Sequence, residues 1–445
     1  MGNLLYNLFI ILYKLALGLA SLWNPKARLW VQGRKNILKK IRQEFQKTPA
    51  VVAGIRKHDG TVMPGDKKDN PPGQIQTIWM HCASLGEFEQ GRPLLEKIRI
   101  AYPHAVVVLT FFSPSGYEVR KNYSGADHIF YLPLDTPSNA EQFIEIIQPG
   151  LVLWVKYEYW FHYLLGLKQK KIPVLLISGI FRKSQLFFKS YGGYMREILA
   201  CFTHFFVQNE ESGILLNSIG ISNKVTLSGD TRFDRVIEIA EKFEPISLVD
   251  KFCGSNRVLV AGSTWTEDEE ELTHYVKSHP EIRFIIAPHE VDRDTILNLK
   301  KEFPSAMVYS EFENEGGSLK EGKNLLIIDN IGMLARLYRY ADIAYVGGGF
   351  GDDGIHNVLE AAVFGKPVIF GPVYHKYFEA IELLDSGGAI SIENALQLEA
   401  VLEQLRSHQD ELIKCGNAAR NYVYSRAGAT EIILEYIQRN RLLTI

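Results

Sequence analysis

Glu87 ends the tetrapeptide Ser84-Leu85-Gly86-Glu87, between an apolar run (IQTIWMHCA) and an amphipathic one (FEQGRPLLEKIRIAYP). A carboxylate at such a strand-to-helix turn is favoured by the positive end of the helix dipole. Within about 3 Å of a hydroxyl it can take the proton as a general base. Most glutamates at helix starts are plain N-terminal acids, so the spacing alone leaves both roles open. Gly86 before it lets backbone come close to a bulky acceptor. A second constellation lies between Ala341 and Gly371, ADIAYVGGGFGDDGIHNVLEAAVFGKPVIFG. Gly347, Gly348, Gly349, Gly351 and Gly354 follow an apolar strand, and His356 and Asn357 open the next helix. A glycine loop entering a helix can present bare backbone N–H groups to a phosphate, with Lys366 as a nearby cation. Asn357 and Glu360 are one helical turn apart, and a carboxylate there can accept both hydroxyls of a ribose. The expected ligand is a nucleotide.

Weaker signals surround these two. Gly262-Ser263-Thr264 follows the strand RVLVA and could touch a phosphate or sugar, although a Ser/Thr helix cap with Glu267 in a capping box is the preferred explanation. Pro288-His289 ends the strand RFIIA, where ligands gather in α/β sheets. Asp352-Asp353 is a solvated loop pair without the further acids an octahedral metal shell needs, so no metal requirement is expected.

The elements that must position these groups read as two parallel α/β sheets. Seven apolar runs alternate with helices from Ile75 to Gly229, and six more (RVLVAGS, RFIIAPH, MVYSE, LLIID, IAYVGG, PVIFG) follow Asn256. Strands spaced by helices imply sheets covered on both faces, and 445 residues suffice for two domains. The expected division is an N-terminal anchor and basic flank at 1–44, an acceptor-binding domain at 45–235, a linker at 236–255 and a nucleotide-sugar domain at 256–445. The polar stretch 49–74, rich in Gly and Pro, reads as a surface loop. A net charge of −2 argues against nucleic acid as a partner. Four scattered cysteines lack zinc-ligand spacing and fit a reducing compartment.

Residues 1–43 contain no Asp or Glu but carry Lys14, Lys26, Arg28, Arg34, Lys35, Lys39, Lys40 and Arg42. Leu4 to Trp23 is nearly all apolar, long enough to cross a bilayer, with Lys14 at a central cost of roughly 3 kcal/mol. The segment either spans with Lys14 snorkelling or lies in the interface. A cleaved signal peptide fits less well, because the extreme N-terminus has no basic residue. The basic flank keeps the main body cytoplasmic, at the inner membrane.

Taken in order, these pieces resemble the 3-deoxy-D-manno-octulosonic acid (Kdo) transferases, and the resemblance covers nearly the whole chain. It rests on the apolar N-terminus with its basic flank, HCASLGEFEQGRPL, LSGDTRFD, AGSTWTEDEE, APHEVDR, GGG…HNVLEAAVFGKPVIFGP and RAGATEIIL. It implies the GT-B fold, two Rossmann-like domains facing a cleft. It also implies transfer from CMP-Kdo to lipid A precursor with inversion and without a catalytic metal or other cofactor. The base of the Ser-x-Gly-Glu motif falls on Glu87. The cytidine contacts fall on Asn357-Val358-Leu359-Glu360, on Pro288-His289 and on Ile331-Gly332-Met333, with Gly348, Gly349, His356, Ser263 and Thr264 beside them. Ile331-Gly332-Met333 has lost the acid of the family's Met-Gly-Glu. The acceptor half departs further, reading Lys156-Tyr157-Glu158-Tyr159-Trp160-Phe161 for Glu-Thr-Glu-x-Trp-Pro and Ser178-Gly179-Ile180-Phe181-Arg182 for Asn-Ala-Arg-Leu-Ser. Ser84, Gly86, Arg182 and Arg232 are candidates for the acceptor or the Kdo carboxylate, since Arg suits carboxylate and phosphate alike. The competing readings are another membrane-associated GT-B transferase using a UDP-sugar, and a non-catalytic protein that binds nucleotide or lipid.

Overall fold

The computed structural model describes residues 2–47, 76–156, 158–352 and 354–443. The expected loop at 49–74 lies outside these, as do Tyr157 and Asp353. The chain forms two compact units, Met1–Asp234 with Gly428–Ile445, and Arg235–Ala427.

In the first unit β1 (Thr77–Cys82), β2 (Val106–Phe111), β3 (His128–Tyr131), β4 (Pro149–Val155), β5 (Val174–Gly179), β6 (His204–Val207) and β7 (Val225–Leu227) make one sheet in the order β3-β2-β1-β4-β5-β6-β7. Every pair is parallel. The strands are almost wholly apolar because successive side chains enter cores on opposite faces. Ile78 and Met80 pack with Leu95 and Ile98, whereas Trp79 packs with Phe143 and Trp154 on the other face. Helices α1 (Gly2–Ala20), α2 (Pro25–Gly33) and α3 (Ile37–Gln46) precede the sheet, and α4 (Leu85–Ala101) follows β1. The N-terminal segment is no separate body. Its α3 buries Ile41 and Phe45 in the core with Phe143, and Ile10 of α1 joins Trp30, Phe112 and Leu134.

In the second unit β8 (Val258–Thr264), β9 (Arg283–Pro288), β10 (Ala306–Val308), β11 (Leu325–Ile327), β12 (Ile343–Val346), β13 (Val368–Phe370) and β14 (Ala389–Ser391) form a parallel sheet in the order β10-β11-β9-β8-β12-β13-β14. Strand β14 escapes a reading by apolar runs, because its three residues end in Ser391 and only pairing with β13 defines it. The stretch 236–255 is helical over Thr231–Glu241 and Ser247–Cys253 and groups with the second unit rather than standing as a linker.

The expected extent of the last domain is corrected at its end. Helix Ala429–Arg439 buries Ile433, Leu434 and Ile437 against Phe88, Leu95 and Ile98 of the first unit. Asp234 accepts hydrogen bonds of 2.6 Å from the backbone N–H groups of both Gly428 and Thr430, which fixes the helix start.

Each sheet has one place where neighbouring strands send their chains in opposite directions, between β1 and β4 and between β8 and β12. Doubly wound sheets open a crevice at the carboxyl ends of such strands. Ile433→Ala, a truncation at a fully buried site, is expected to destabilise the first unit by roughly 2–5 kcal/mol. Hydrogen exchange should show β1 and α4 losing protection while β8 and β12 keep theirs.

Candidate active site

Glu87 sits in the first turn of α4, directly after β1, and Glu158 lies just beyond β4. The strand order therefore puts both carboxylates at the first unit's switch point. One oxygen of Glu87 accepts from the Ala83 N–H, and the Ser84 N–H adds to it. Burial raises the Glu87 carboxyl first, the Glu158 charge raises it further, and the backbone donors and Lys156 only partly offset this, leaving it at about 7. A carboxyl held near neutrality is poised to exchange a proton at working pH. Gly86 is exposed, and an added Cβ would meet no protein atom, so the space before Glu87 is open. Ser84 is the extended residue that starts the helix, and its side chain does not cap it.

Glu158 is fixed from several sides. The register pairs His81 with Trp154, and their rings lie 4.6 Å apart. His81 is fully buried, with Nδ1 2.9 Å from the Thr110 hydroxyl and Nε2 3.1 Å from Glu158 Oε2. The Trp160 indole N–H donates to the same oxygen at 2.8 Å, and Trp154 donates to the Glu158 carbonyl. The next helix, Phe161–Gln169, starts on Asp135, which accepts from the N–H groups of His162 (3.0 Å) and Tyr163 (3.1 Å). Helix α1 completes the clamp. Tyr6 donates to Asp135 at 2.5 Å and accepts from the Phe161 N–H at 3.3 Å, while Asn7 Oδ1 meets His162 Nε2 at 2.7 Å. Tyr13 and Trp30 pack on Phe112, which packs on Trp160 at 4.5 Å. The apolar N-terminal helix is thus part of the wall behind the carboxylate pair.

Arg232 is engaged by its own neighbour. Its Nε meets buried Asp230 Oδ2 at 2.9 Å, and Gln90 donates to the same oxygen at 3.2 Å. Burial alone would raise Asp230, but the Arg232 and Lys156 charges with the Arg232 hydrogen bonds outweigh it and hold the carboxyl below its usual value. Arg232 therefore serves this buried pair first and is only partly exposed. Arg182 is exposed beyond β5, where its backbone N–H meets Gln185 at 3.0 Å.

In the second unit the carboxyl ends of β8, β9 and β12 bring Ser263, His289 and the glycine loop together. Ser263 takes a left-handed φ of 55° where the β8–β9 register shifts. Trp265, His289 and His356 form a stack, with ring centroids 4.4 Å and 4.5 Å apart. The Trp265 indole donates to His356 Nε2 at 3.3 Å, which leaves Nδ1 to carry the proton of a neutral imidazole. Asn357 Nδ2 donates to Glu360 Oε1 at 3.2 Å, so the two side chains are adjacent. Asp268, fully buried, accepts from Gly348 N–H (2.8 Å), Trp265 N–H (2.9 Å) and the Tyr345 hydroxyl (2.7 Å). Burial still leaves its carboxyl raised.

Several expectations change here. The glycine loop does not offer a row of free amides, since Gly347 N–H donates to Gly262 O at 2.9 Å and Gly348 N–H to Asp268. Its glycines answer close packing instead. A Cβ on Gly347 would collide with the Ser263 carbonyl, and one on Gly349 with the Gly371 backbone. The following helix is a single turn, Leu359–Ala362, and begins later than His356. Val358 and Leu359 are fully buried, so their side chains serve the core. Lys366 lies at the amino end of β13, where Asp342 also sits, at the opposite end of the sheet from the loop. Thr264 is buried and donates to Glu269 at 2.9 Å, and the helix that follows starts at Thr266 with Asp268, not Glu267, accepting the Trp265 N–H. Pro288 ends β9 in the core and His289 is exposed. Ile331 is exposed, Gly332 turns with φ 95°, and Met333 is buried before the helix Leu334–Leu337.

Sequence reasoning did not single out Glu158, His81, Trp265 or Asp268 as site residues. The motif around Lys156–Phe161 was a usable signal for Glu158. Asp268 stands in the acidic run TEDEEE, and nothing in the run says which acid turns inward.

Residues 45–235 match the family described as 3-deoxy-D-manno-octulosonic-acid transferase. A 3-deoxy-D-manno-octulosonic acid transferase from Aquifex aeolicus is 28% identical over 75% of this chain and 87% of its own length. One from Haemophilus influenzae is 26% identical over 84% of this chain and 90% of its own. A bifunctional glycosyltransferase/methyltransferase from Fusobacterium nucleatum is 29% identical over 75% of this chain, which spans only 53% of that longer protein. Among solved structures, UDP-GlcNAc 2-epimerase from Neisseria meningitidis shares the fold with a TM-score of 0.59 at 17% identity, over 82% of this chain and all of its own. With residues 45–235 matched by the family model and these relatives aligned across most of its length, the chain is similar to the Kdo transferases and is a glycosyltransferase of GT-B architecture.

Proposed function

We propose that this protein moves Kdo from CMP-Kdo to a hydroxyl of lipid A precursor, with inversion at the anomeric carbon and Glu87 as the general base. The observation that carries the reading is the Glu87 carboxyl, raised to about 7 at the β1–β4 switch point with open space before Gly86. Ionised Glu87 takes the acceptor hydroxyl proton as that oxygen bonds to the anomeric carbon. The bond from that carbon to the CMP phosphate oxygen breaks, and CMP leaves with the electron pair. The second unit's part is to hold the nucleotide. In this reading the Asn357–Glu360 pair meets the ribose hydroxyls, and the stacked His289 and His356 rings are offered to the phosphate and base. No step requires a metal. The apolar face of α1 and the acid-free basic segment support a location on the cytoplasmic side of the inner membrane, within reach of a lipid acceptor.

Glu87→Gln is expected to lower kcat by a factor of about 10²–10⁴ while leaving CMP binding intact. In the wild type, kcat/KM should rise with pH through about 7 as Glu87 ionises, and Glu158→Gln should move that limb to lower pH by removing a negative neighbour. Assays with CMP-Kdo and lipid A precursor, run with and without a chelator and read by mass spectrometry, check these outcomes. Wild-type turnover by Glu87→Gln would end the base assignment.

The same carboxyl has a signature in stability. Its pKa rises from 4.5 unfolded to about 7 folded, so its contribution is fully present below 4.5 and is lost as pH rises through 7. Glu87→Gln should therefore melt above the wild type at pH 8 and match it near pH 4.5 in calorimetry. CMP should raise the melting temperature and UDP should not. Protection by UDP alone would move the reading to a UDP-sugar donor.

A further inference from the structure

A groove of about 890 Å³ lies between α1, the α2–α3 turn and the loop Leu134–Asn139 of the first unit. Its walls are of two kinds. Ile11, Leu15 and Leu38 supply apolar surface, and Lys14, Lys35 and Lys39 supply cations. Lysines elsewhere bond glutamates, as Lys97 does with Glu431 at 2.6 Å and Lys300 with Glu311 at 2.7 Å. The three groove lysines are exposed and make no ion pair among the described residues, and no Asp or Glu occurs in residues 1–43 to offer one. Arg34 is not a fourth free cation. Its guanidinium donates to the Leu132 carbonyl at 2.9 Å and the Phe112 carbonyl at 2.8 Å, which ties the end of α2 to the sheet and forms the floor. The apolar wall continues into the exposed side of α1, where Leu8, Ile11, Leu12, Leu15 and Leu19 are each at least half exposed.

Unpaired cations over an apolar trough complement a molecule that is anionic at one end and hydrocarbon at the other. The volume is that of a small-ligand site and exceeds what water or an ion needs. We propose that this groove binds one anionic glycerophospholipid of the bilayer, with its phosphate among Lys14, Lys35 and Lys39 and an acyl chain along Ile11 and Leu15. This rests on the membrane-facing reading of α1 but not on the sugar chemistry. Because α1 also clamps the segment carrying Glu158 through Tyr6 and Asp135, a lipid seated here would brace the wall of the active site.

The test uses the full chain purified in detergent from cells containing phosphatidylglycerol, with bound lipid extracted and quantified by mass spectrometry. The expected result is about one phosphatidylglycerol per chain. Two variants should lose it at least tenfold. One is Lys14→Gln/Lys35→Gln/Lys39→Gln. The other is Gly18→Trp, which fills the groove without changing charge at a position where an added Cβ meets no protein atom. Lys26→Gln/Lys40→Gln/Arg42→Gln removes equal charge outside the groove and should retain the lipid. Equal retention by all four proteins, equal loss by both triple variants, a zwitterionic lipid, or acylated acceptor in its place would overturn the proposal. Sedimentation with phosphatidylcholine vesicles separates the underlying reading. Wild type and Gly18→Trp should pellet alike, and a wild type that stays in solution overturns both.

Discussion

The carboxyls of Glu87 and Glu158 follow two neighbouring strands of a parallel sheet, and like charges held close in a partly buried place oppose one another's ionisation. Much of the first unit's polar architecture manages that opposition. Glu158 is held by His81 from below and Trp160 from the side, and His81 in turn rests on Thr110. Glu87 is met by the backbone donors of its own helix start, and the Lys156 charge moderates the pair from the end of β4. An acid in place of Lys156 would remove that offset and raise Glu87 further. One carboxyl near neutrality beside a second that is firmly hydrogen-bonded gives the two separate roles from their surroundings alone.

The second unit handles its ligand end by geometry more than by charge. Its glycine loop looks like a phosphate cradle in one dimension, yet the amides of Gly347 and Gly348 are spent inside the protein. What the glycines provide is closeness, with Gly347 against the Ser263 carbonyl and Gly349 against Gly371, where no Cβ fits. Asp268 ties the loop to the start of the β8 helix, and the Trp265–His289–His356 stack lines up rings from three strand ends. The anchoring carboxylate is buried beneath the loop, so the site's rigidity comes from below.

The N-terminal helix joins the two themes of lipid contact and chemistry. One side of it, through Tyr6, Asn7, Ile10 and Tyr13, is bonded and packed along the first unit, and the other is a run of exposed leucines. A helix docked along its length in this way is tied to the first unit, because its departure would strip Asp135 of its Tyr6 partner in a buried setting.

Local pattern was enough for much of this. Apolar runs such as VVVLTF and TIWMHC read as strands covered on both faces, and thirteen of the fourteen strands were legible on that ground, β14 being a short run that ends in a polar residue. The Ser84–Glu87 turn was also legible, whereas Asn357 and Glu360 meet although Asn357 precedes the helix, so helical spacing is not what joins them. What the sequence could not give was adjacency between distant segments. Strand order alone sets Glu158 beside Glu87, puts Lys366 at the far end of the sheet from the glycine loop, and returns Ala429–Arg439 to the first unit. Nor could it give burial, which picks Asp268 from an acidic run and raises Glu87 toward neutrality. The sequence by itself determined where the strands and the candidate turns fall, since periodicity and turn chemistry are properties of neighbouring residues. Only the tertiary structure decided what the groups on them face and how readily they hold a proton, since desolvation and charge depend on everything within reach in space.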